Sequence, residues 1–595
     1  MTERGFFIFW LKRLFLAVEL KKRLSLRAYS NQKLILSAMF YPIKPFVGSF
    51  CLCFSIFLLL QSTAFAQRSY DLHWIGFVDK ANSNYSLFKP QEYLSARALE
   101  RRARYHIRID SSDLPVSSEY VKKIAACGVK IHASSRWMNG VLAVCSNETA
   151  DSIRKGFSFV RETRPVGFAR SPQRPLPKEN IFPDADFRKN SDYYGNGSNQ
   201  IKMLNAQYVH QFGFRGAGLW VAVFDGGFID FRETPAFDSM QLKGQLLGTF
   251  DFVEGDNFVY ESSDHGRDVL STMAANVPYL FVGTAPDAQY FLFKTEDEEG
   301  EYTSEEYYWL AAAELADSLG IDAINSSLGY YAFDDRKMSY AYSDFDGNTA
   351  VITKAADWAA KKGMLIITSA GNEGSEKWKY ITAPADADSI LSVAAVDRDG
   401  FRSSFSSYGF KNRKDFRPNL AARGSQAIVA SKGRFDTKYN TGTSFAAPIL
   451  AGAAISLWQS CPHLSNMELI YAMQNSASKA SEPNNEIGYG IPNLLKSFQG
   501  IHNSILEISS SQKDINWVKN QSLARLDLLL NTQQNAEVGI ELYNDLGVLL
   551  FEQKITCKRG ENTYCRVANW VDLPNGNYYL YAKFGKTTKR FYLLR

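Results

Sequence analysis

The chain has 595 residues, of which 45% are hydrophobic and 22% charged, with a formal net charge of +5. That length exceeds one ordinary domain, and the composition excludes a disordered chain. Much of the positive excess sits near the N-terminus (Arg4, Lys12, Arg13, Lys21, Lys22, Arg23, Arg27 and Lys33), so a nucleic-acid footprint is not indicated.

The first element is the apolar run SFCLCFSIFLLL, Ser49 to Leu60, followed by QSTAFAQ. Ala64-Phe65-Ala66 is a small-x-small site, so residues 1–66 read as a leader and signal peptide cleaved before Gln67. The run is shorter than the roughly 20 residues a membrane span needs. An anchor that draws in residues before Phe46 is the other reading. Met39 is the expected true start, with Lys44 as the charged flank.

Residues 67–169 form an expected α+β domain. YDLHWIGFVDK reads as a strand, PQEYLSARALERRARYH as a basic amphipathic helix, and SEYVKKIAACG as a second helix stopped by Gly128. VKIHAS and GVLAVCS read as paired strands, and FSFVRET closes the set. Residues 170–199 are a linker rich in Pro, Asn and charge. From 200 to 503, LWVAVF, IDAIN, MLIITSA and ILSVAAV are near-continuous apolar runs, as expected of parallel strands buried on both faces. The helices SEEYYWLAAAELADSLG and TAVITKAADWAAKKG alternate with them, which defines α/β architecture. From 504 to 595, period-two patterns between NDLG, LPNG and GK turns predict a small β-sandwich. Of seven cysteines, Cys51 and Cys53 leave with the leader and Cys461 stands alone. The pairs Cys127/Cys145 and Cys557/Cys565 are close enough in sequence to permit two disulfides.

In open parallel sheets ligands bind beyond the carboxyl ends of the strands. There the chain places Asp225-Gly226-Gly227, Ser326-Ser327-Leu328-Gly329 and Gly371-Asn372-Glu373-Gly374. Further on, Ser444 stands at the mouth of an Ala- and Gly-rich helix, in GTSFAAP. Taken alone, Thr443 or Ser444 reads as a helix N-cap. A catalytic reading needs a base, an orienting carboxylate and an oxyanion donor. Between Gln200 and Gly500 the histidines are His210, His265 and His463, and His265 opens a helix in SSDHGRDVLSTMAAN. The joint presence of Asp, His and Ser in such settings favours catalysis.

VAVFDGG, DHGRDV, SAGNEG and GTSFAAP resemble the Asp, His, oxyanion-Asn and Ser blocks of subtilisin-like serine proteases, in that family's chain order. GTAPDAQYFLFKTED, INSSLGYYAFDD and TAPADADSILSVAAVD are similar to subtilases of Bacteroidetes. The resemblance covers Tyr194 to Gly500, about half the chain. It implies a subtilisin-like parallel sheet flanked by helices and a secreted serine endopeptidase. Asp225, His265, Ser444 and Asn372 match the catalytic positions, and Ser327, Leu328, Gly329 and Gly371 the substrate cleft. It also implies that the N-terminal domain is a propeptide acting as an intramolecular inhibitor. The C-terminal domain resembles a type IX secretion sorting domain, which would make that machinery a partner on the way to the medium or cell surface.

Two positions depart from the family pattern. Gly226 stands where Thr or Ser is common, and Arg267 where Thr is common. Arg267 is expected to face solvent or to pair with Asp264 or Asp268, and would depress the His265 pKa if it pointed inward. No cofactor is required and no metal ligand is assigned. Thr295 to Glu306, TEDEEGEYTSEE, and DFDGN at 344–348 read either as calcium loops or as solvated turns. The rival functions are a peptide-binding pseudoprotease and a surface adhesion protein.

Overall fold

The computed structural model describes residues 70–170 apart from 82, 191–501 apart from 412–414 and 434, and 515–594 apart from 520–525, 533–534, 559–561, 569–572 and 586. The expected leader, the Met39 start and most of the 170–199 linker lie outside the described residues. The chain divides into Met1–Ser69 and Tyr70–Arg595, and all that follows concerns the second. Among the described residues no helix is long and apolar enough to cross a membrane.

A seven-stranded parallel sheet carries the middle of the chain. Its order is Leu420–Arg423, Leu391–Val396, Leu365–Ser369, Ala323–Ser326, Trp220–Asp225, Gln289–Lys294 and Leu246–Asp251. Alternation along one strand explains why the apolar runs are continuous. Val221 and Val223 enter one core with Val269 and Leu450, while Ala222 and Phe224 enter the other with Trp309 and Ile352. Full burial of such a side chain contributes about 1.5–3 kcal/mol. The helix Ser304–Leu319 ends where expected, with Gly320 left-handed at φ 85°.

The N-terminal domain is a four-stranded antiparallel sheet ordered Lys130–Ser135, Gly140–Val144, Leu72–Phe77 and Val160–Gly167. Its basic helix is shorter than expected, Ala96–Arg104, because Pro90–Glu92 forms a separate 3₁₀ turn. Two of that helix's arginines also point inward. Arg101 and Arg102, with Arg136, converge on Asp317 at 2.5, 2.8 and 2.6 Å, at the C-terminal end of Ser304–Leu319. Burial would raise the Asp317 carboxyl, but the three guanidinium groups hold it down at about 2. Cations at a helix C-terminus also meet the negative end of its dipole. Nearby, Glu314 accepts from the amides of Arg136 and Trp137 at 2.8 and 3.1 Å.

The C-terminal strands form two antiparallel sheets, one of three strands and one of four, with Leu528 and Leu530 packed against Val538, Ile540 and Leu580. Neither expected disulfide is present, since all four cysteines are free. Cys127 lies in the turn after one helix and Cys145 at a strand end, while Cys557 and Cys565 sit on strands of different sheets.

Candidate active site

The site is built where the Trp220–Asp225 strand ends. Asp225 is its last residue and is 1% exposed. The helix His265–Ala274 starts against it. Gly266 permits that approach, because a Cβ there would lie 2.4 Å from the Gly227 carbonyl and 2.9 Å from the Asp225 Cβ. The result is a direct contact: His265 Nδ1 lies 2.9 and 3.0 Å from the two Asp225 carboxylate oxygens. Two acceptors at Nδ1 make it the protonated nitrogen and leave the lone pair on Nε2. Burial disfavours the charged ring, but Asp225, with Asp268 and Glu296 behind it, outweighs burial and raises His265 to about 9.

Ser444 lies in the first turn of the helix Thr443–Gln459. The capping alternative does not hold, because Gly442 is the N-cap and no side chain caps the helix. The Ser444 hydroxyl donates to the Ser327 carbonyl at 3.3 Å, and the Ser327 hydroxyl donates to the Ser444 carbonyl at 2.9 Å. Among the described residues the Ser444 hydroxyl has no other hydrogen bond. The neighbouring Phe445 ring is 5.6 Å from the imidazole, centroid to centroid.

Asn372 is held by its oxygen, which accepts from the Thr443 amide at 2.9 Å and the Thr443 hydroxyl at 3.0 Å. The NH₂ group must then face away from the helix end. The amide of Gly371 donates to the same Thr443 hydroxyl at 3.2 Å. Thr443 is thus the residue that ties Asn372 to the Ser444 helix, a role its reading as a helix N-cap did not contain.

Ser327, Leu328 and Gly329 follow the Ala323–Ser326 strand. Asn325 donates to the Ser327 hydroxyl at 3.1 Å, and the Leu328 carbonyl accepts from Ser369 at 3.3 Å. Gly329 lies against Thr382, whose hydroxyl would be 2.1 Å from a Cβ there. Tyr330 then pairs with Ala383 through two 2.9 Å backbone bonds. The structure therefore pairs Asp225 with His265, and joins Ser444 to Ser327 and, through Thr443, to Asn372 and Gly371, with Leu328 and Gly329 following Ser327 along the chain. His210 is excluded: it is buried, it bonds the Thr284 carbonyl at 2.9 Å, and burial lowers it to about 4.

 It is a core residue, and His463 lies in an exposed turn before the helix Asn466–Ser476.

Both departures acquire a physical reason. Gly226 leaves room for Glu298, whose Oε1 would be 2.4 Å from a Cβ at that position. Arg267 does not face solvent. It is 1% exposed and pairs with Asp268 at 2.7 Å and Asp264 at 2.9 Å. Its charge is spent on those carboxylates, so the imidazole is raised and not depressed.

The acidic stretch Thr295 to Glu306 is neither a gathered metal site nor a wholly solvated loop. Glu305 and Glu306 are buried, and burial pushes Glu305 up to about 11. Asp344 and Asp346 accept from amides of their own turn at 2.8 and 2.7 Å. Among the described residues the carboxylates close enough to share a cation are Asp251, Glu254 and Glu261. The Lys294 ammonium already lies 2.9, 3.9 and 3.5 Å from them, so the chain itself supplies a cation to this set and it is assigned no metal.

An Asp–His pair at the carboxyl edge of a parallel sheet and a serine in the first turn of a neighbouring helix are the residue types that serine hydrolases use. The comparisons agree. Residues 216–490 match the subtilase family, and residues 72–180 match the Peptidase S8 propeptide domain of Bacteroidota. Subtilisin DY of Bacillus licheniformis is 29% identical over 285 residues, covering 47% of this chain and 92% of that protein. A subtilisin of Bacillus pumilus is 30% identical over 282 residues, covering 47% of this chain and 90% of that protein. The solved structure of fervidolysin from Fervidobacterium pennivorans, a keratinolytic enzyme related to subtilisin, shares the fold. Its TM-score is 0.50 at 18% identity, covering 87% of this chain and 71% of that one. The chain belongs to the subtilase family and is a subtilisin-like serine endopeptidase with a propeptide domain.

Proposed function

We propose that the chain is the zymogen of an exported endopeptidase that cuts peptide bonds with Asp225, His265 and Ser444. The observation that carries this reading is the Asp225–His265 contact, which leaves Nε2 as a free base near the Ser444 helix. For the reaction the Ser444 hydroxyl exchanges its 3.3 Å bond to Ser327 for one to Nε2. Catalytic hydrogen bonds are often long before substrate binds. The oxygen attacks the substrate carbonyl carbon as its proton passes to Nε2. The oxyanion accepts from the Asn372 NH₂ and the Ser444 amide. As the C–N bond breaks, the same proton goes to the leaving amine and the acyl group stays on Ser444. Water then attacks the acyl carbon and loses a proton to His265; the bond to the Ser444 oxygen breaks, that proton passes to the oxygen, and the acid is released. Asp225 holds the ring and stabilises its charged form.

The base must be neutral to act, so the raised His265 sets the pH dependence. The ring is charged below its pKa, and kcat/KM is expected to rise with pH to a midpoint near 9. A kcat/KM profile on a short peptide substrate checks this; a midpoint at the ordinary histidine value near 6.5 would contradict it.

The N-terminal domain serves as inhibitor until the 170–199 linker is cut, and the 504–595 domain serves as a sorting label for type IX secretion. Protein recovered from the culture medium tests both ends. Its N-terminus is expected within the linker, and a chain lacking Ser504 to Arg595 is expected to be missing from the medium while retaining peptidase activity in cell extracts. An N-terminus still at Gln67 in active enzyme would remove the propeptide role, and normal export of the truncated chain would remove the sorting role.

A further inference from the structure

The N-terminal domain ends its described course on the acidic loop beside the site. After the Val160–Gly167 strand, the Phe168 ring meets Tyr70 and Tyr302 at 5.1 and 5.2 Å between centroids. The Ala169 amide donates to Asp71 at 2.8 Å. These contacts fix the direction of the next residue. Arg170 Nε donates to Asp297 Oδ2 at 2.5 Å, and its Nη1 donates to Glu299 Oε2 at 2.7 Å. Asp297 is itself held: its amide donates to Glu305 at 2.8 Å and its Oδ1 accepts from the Glu299 amide at 3.1 Å. One carboxylate oxygen thus shapes the loop while the other faces the guanidinium.

The loop borders the reacting groups. The Thr295 amide donates to the Asp225 carbonyl at 3.0 Å, and Glu298 occupies the space beside Gly226. Glu296 accepts from the hydroxyl of Tyr330, the residue after Gly329.

We propose that Asp297 and Glu299 form a subsite for a cationic side chain of the substrate, filled by Arg170 in the uncut chain. The inference rests on the protease reading and adds a substrate class to it. Chain direction gives the side: Arg170 precedes the segment where self-cleavage is proposed, so the residue held there lies N-terminal to the scissile bond. A guanidinium shared by two carboxylates selects charge and not length alone, because a neutral isostere loses the charge-assisted part of both bonds.

The test uses processed enzyme and pairs of quenched peptides that differ only in arginine or citrulline, moved one position at a time upstream of the cut. One pair is expected to show about a tenfold advantage for arginine in kcat/KM, carried mainly by KM. Asp297→Asn combined with Glu299→Gln should bring that ratio near one while the citrulline peptide is cut as before. Glu299→Gln alone changes an exposed side chain, and should remove part of the ratio with no demand on folding. Equal rates for every pair in the unaltered enzyme would overturn the subsite, as would a full arginine advantage in both variants. Failure to cut any peptide would instead overturn the protease reading, and the subsite with it.

Discussion

Ser444→Ala is expected to lower kcat by about 10⁶-fold, the scale established for loss of the nucleophile in a subtilisin. The substitution removes one atom, and the fold does not depend on it. The hydroxyl makes a 3.3 Å bond to Ser327, Gly442 rather than Ser444 caps the helix, and the helix body is packed by Phe445, Ile449, Leu450 and Trp458. Loss of that bond costs about 1 kcal/mol of stability. Steady-state kinetics on folded variant, with thermal unfolding as the control, checks both halves. The variant should also keep its N-terminal domain attached, since self-cleavage needs the same oxygen. Activity within tenfold of the unaltered enzyme would remove Ser444 from the mechanism.

Asp225→Asn is expected to cost about 10⁴-fold in kcat, through the tautomer and not through the fold. The shape is conserved, but an amide offers one acceptor and one donor where the carboxylate offers two acceptors. His265 Nδ1 now has two acceptors within 3.0 Å. Facing an NH₂ group, the ring would be favoured with its lone pair on Nδ1 and its proton on Nε2, where it cannot accept from Ser444. A pH readout separates this role from a structural one. Asp225 is the main group that raises His265 to about 9, so the residual activity should show its ascending limb at lower pH. An unshifted limb with near-normal kcat would contradict the role given to Asp225.

Much of this site was legible because each piece follows a strand or opens a helix. The runs ending at Asp225 and Ser326 are apolar on both faces, and glycines mark the close approaches after them. The strands Leu246–Asp251, Gln289–Lys294 and Leu420–Arg423 were harder to read, since they are short or mixed with polar residues, and only tertiary pairing selects them. The inward turn of Arg101 and Arg102 was hidden for a similar reason. A basic helix face reads as solvated until Asp317, more than two hundred positions along, is brought beneath it. Arg267 repeats the lesson, because its burial depends on Asp230 as well as the adjacent Asp264 and Asp268. The free cysteines show the limit of spacing as a guide. Cys557 and Cys565 are eight positions apart, yet they lie on strands of separate sheets.

The most direct measurement of the central claim is labelling with a fluorophosphonate, which reacts only with a serine whose proton a base can take. Peptide mapping of the labelled, processed enzyme should place a single adduct on Ser444, and His265→Ala should abolish it in folded protein. No adduct on folded, processed enzyme, or an adduct on Ser327 in place of Ser444, would contradict the account and leave a chain that binds peptides without cutting them.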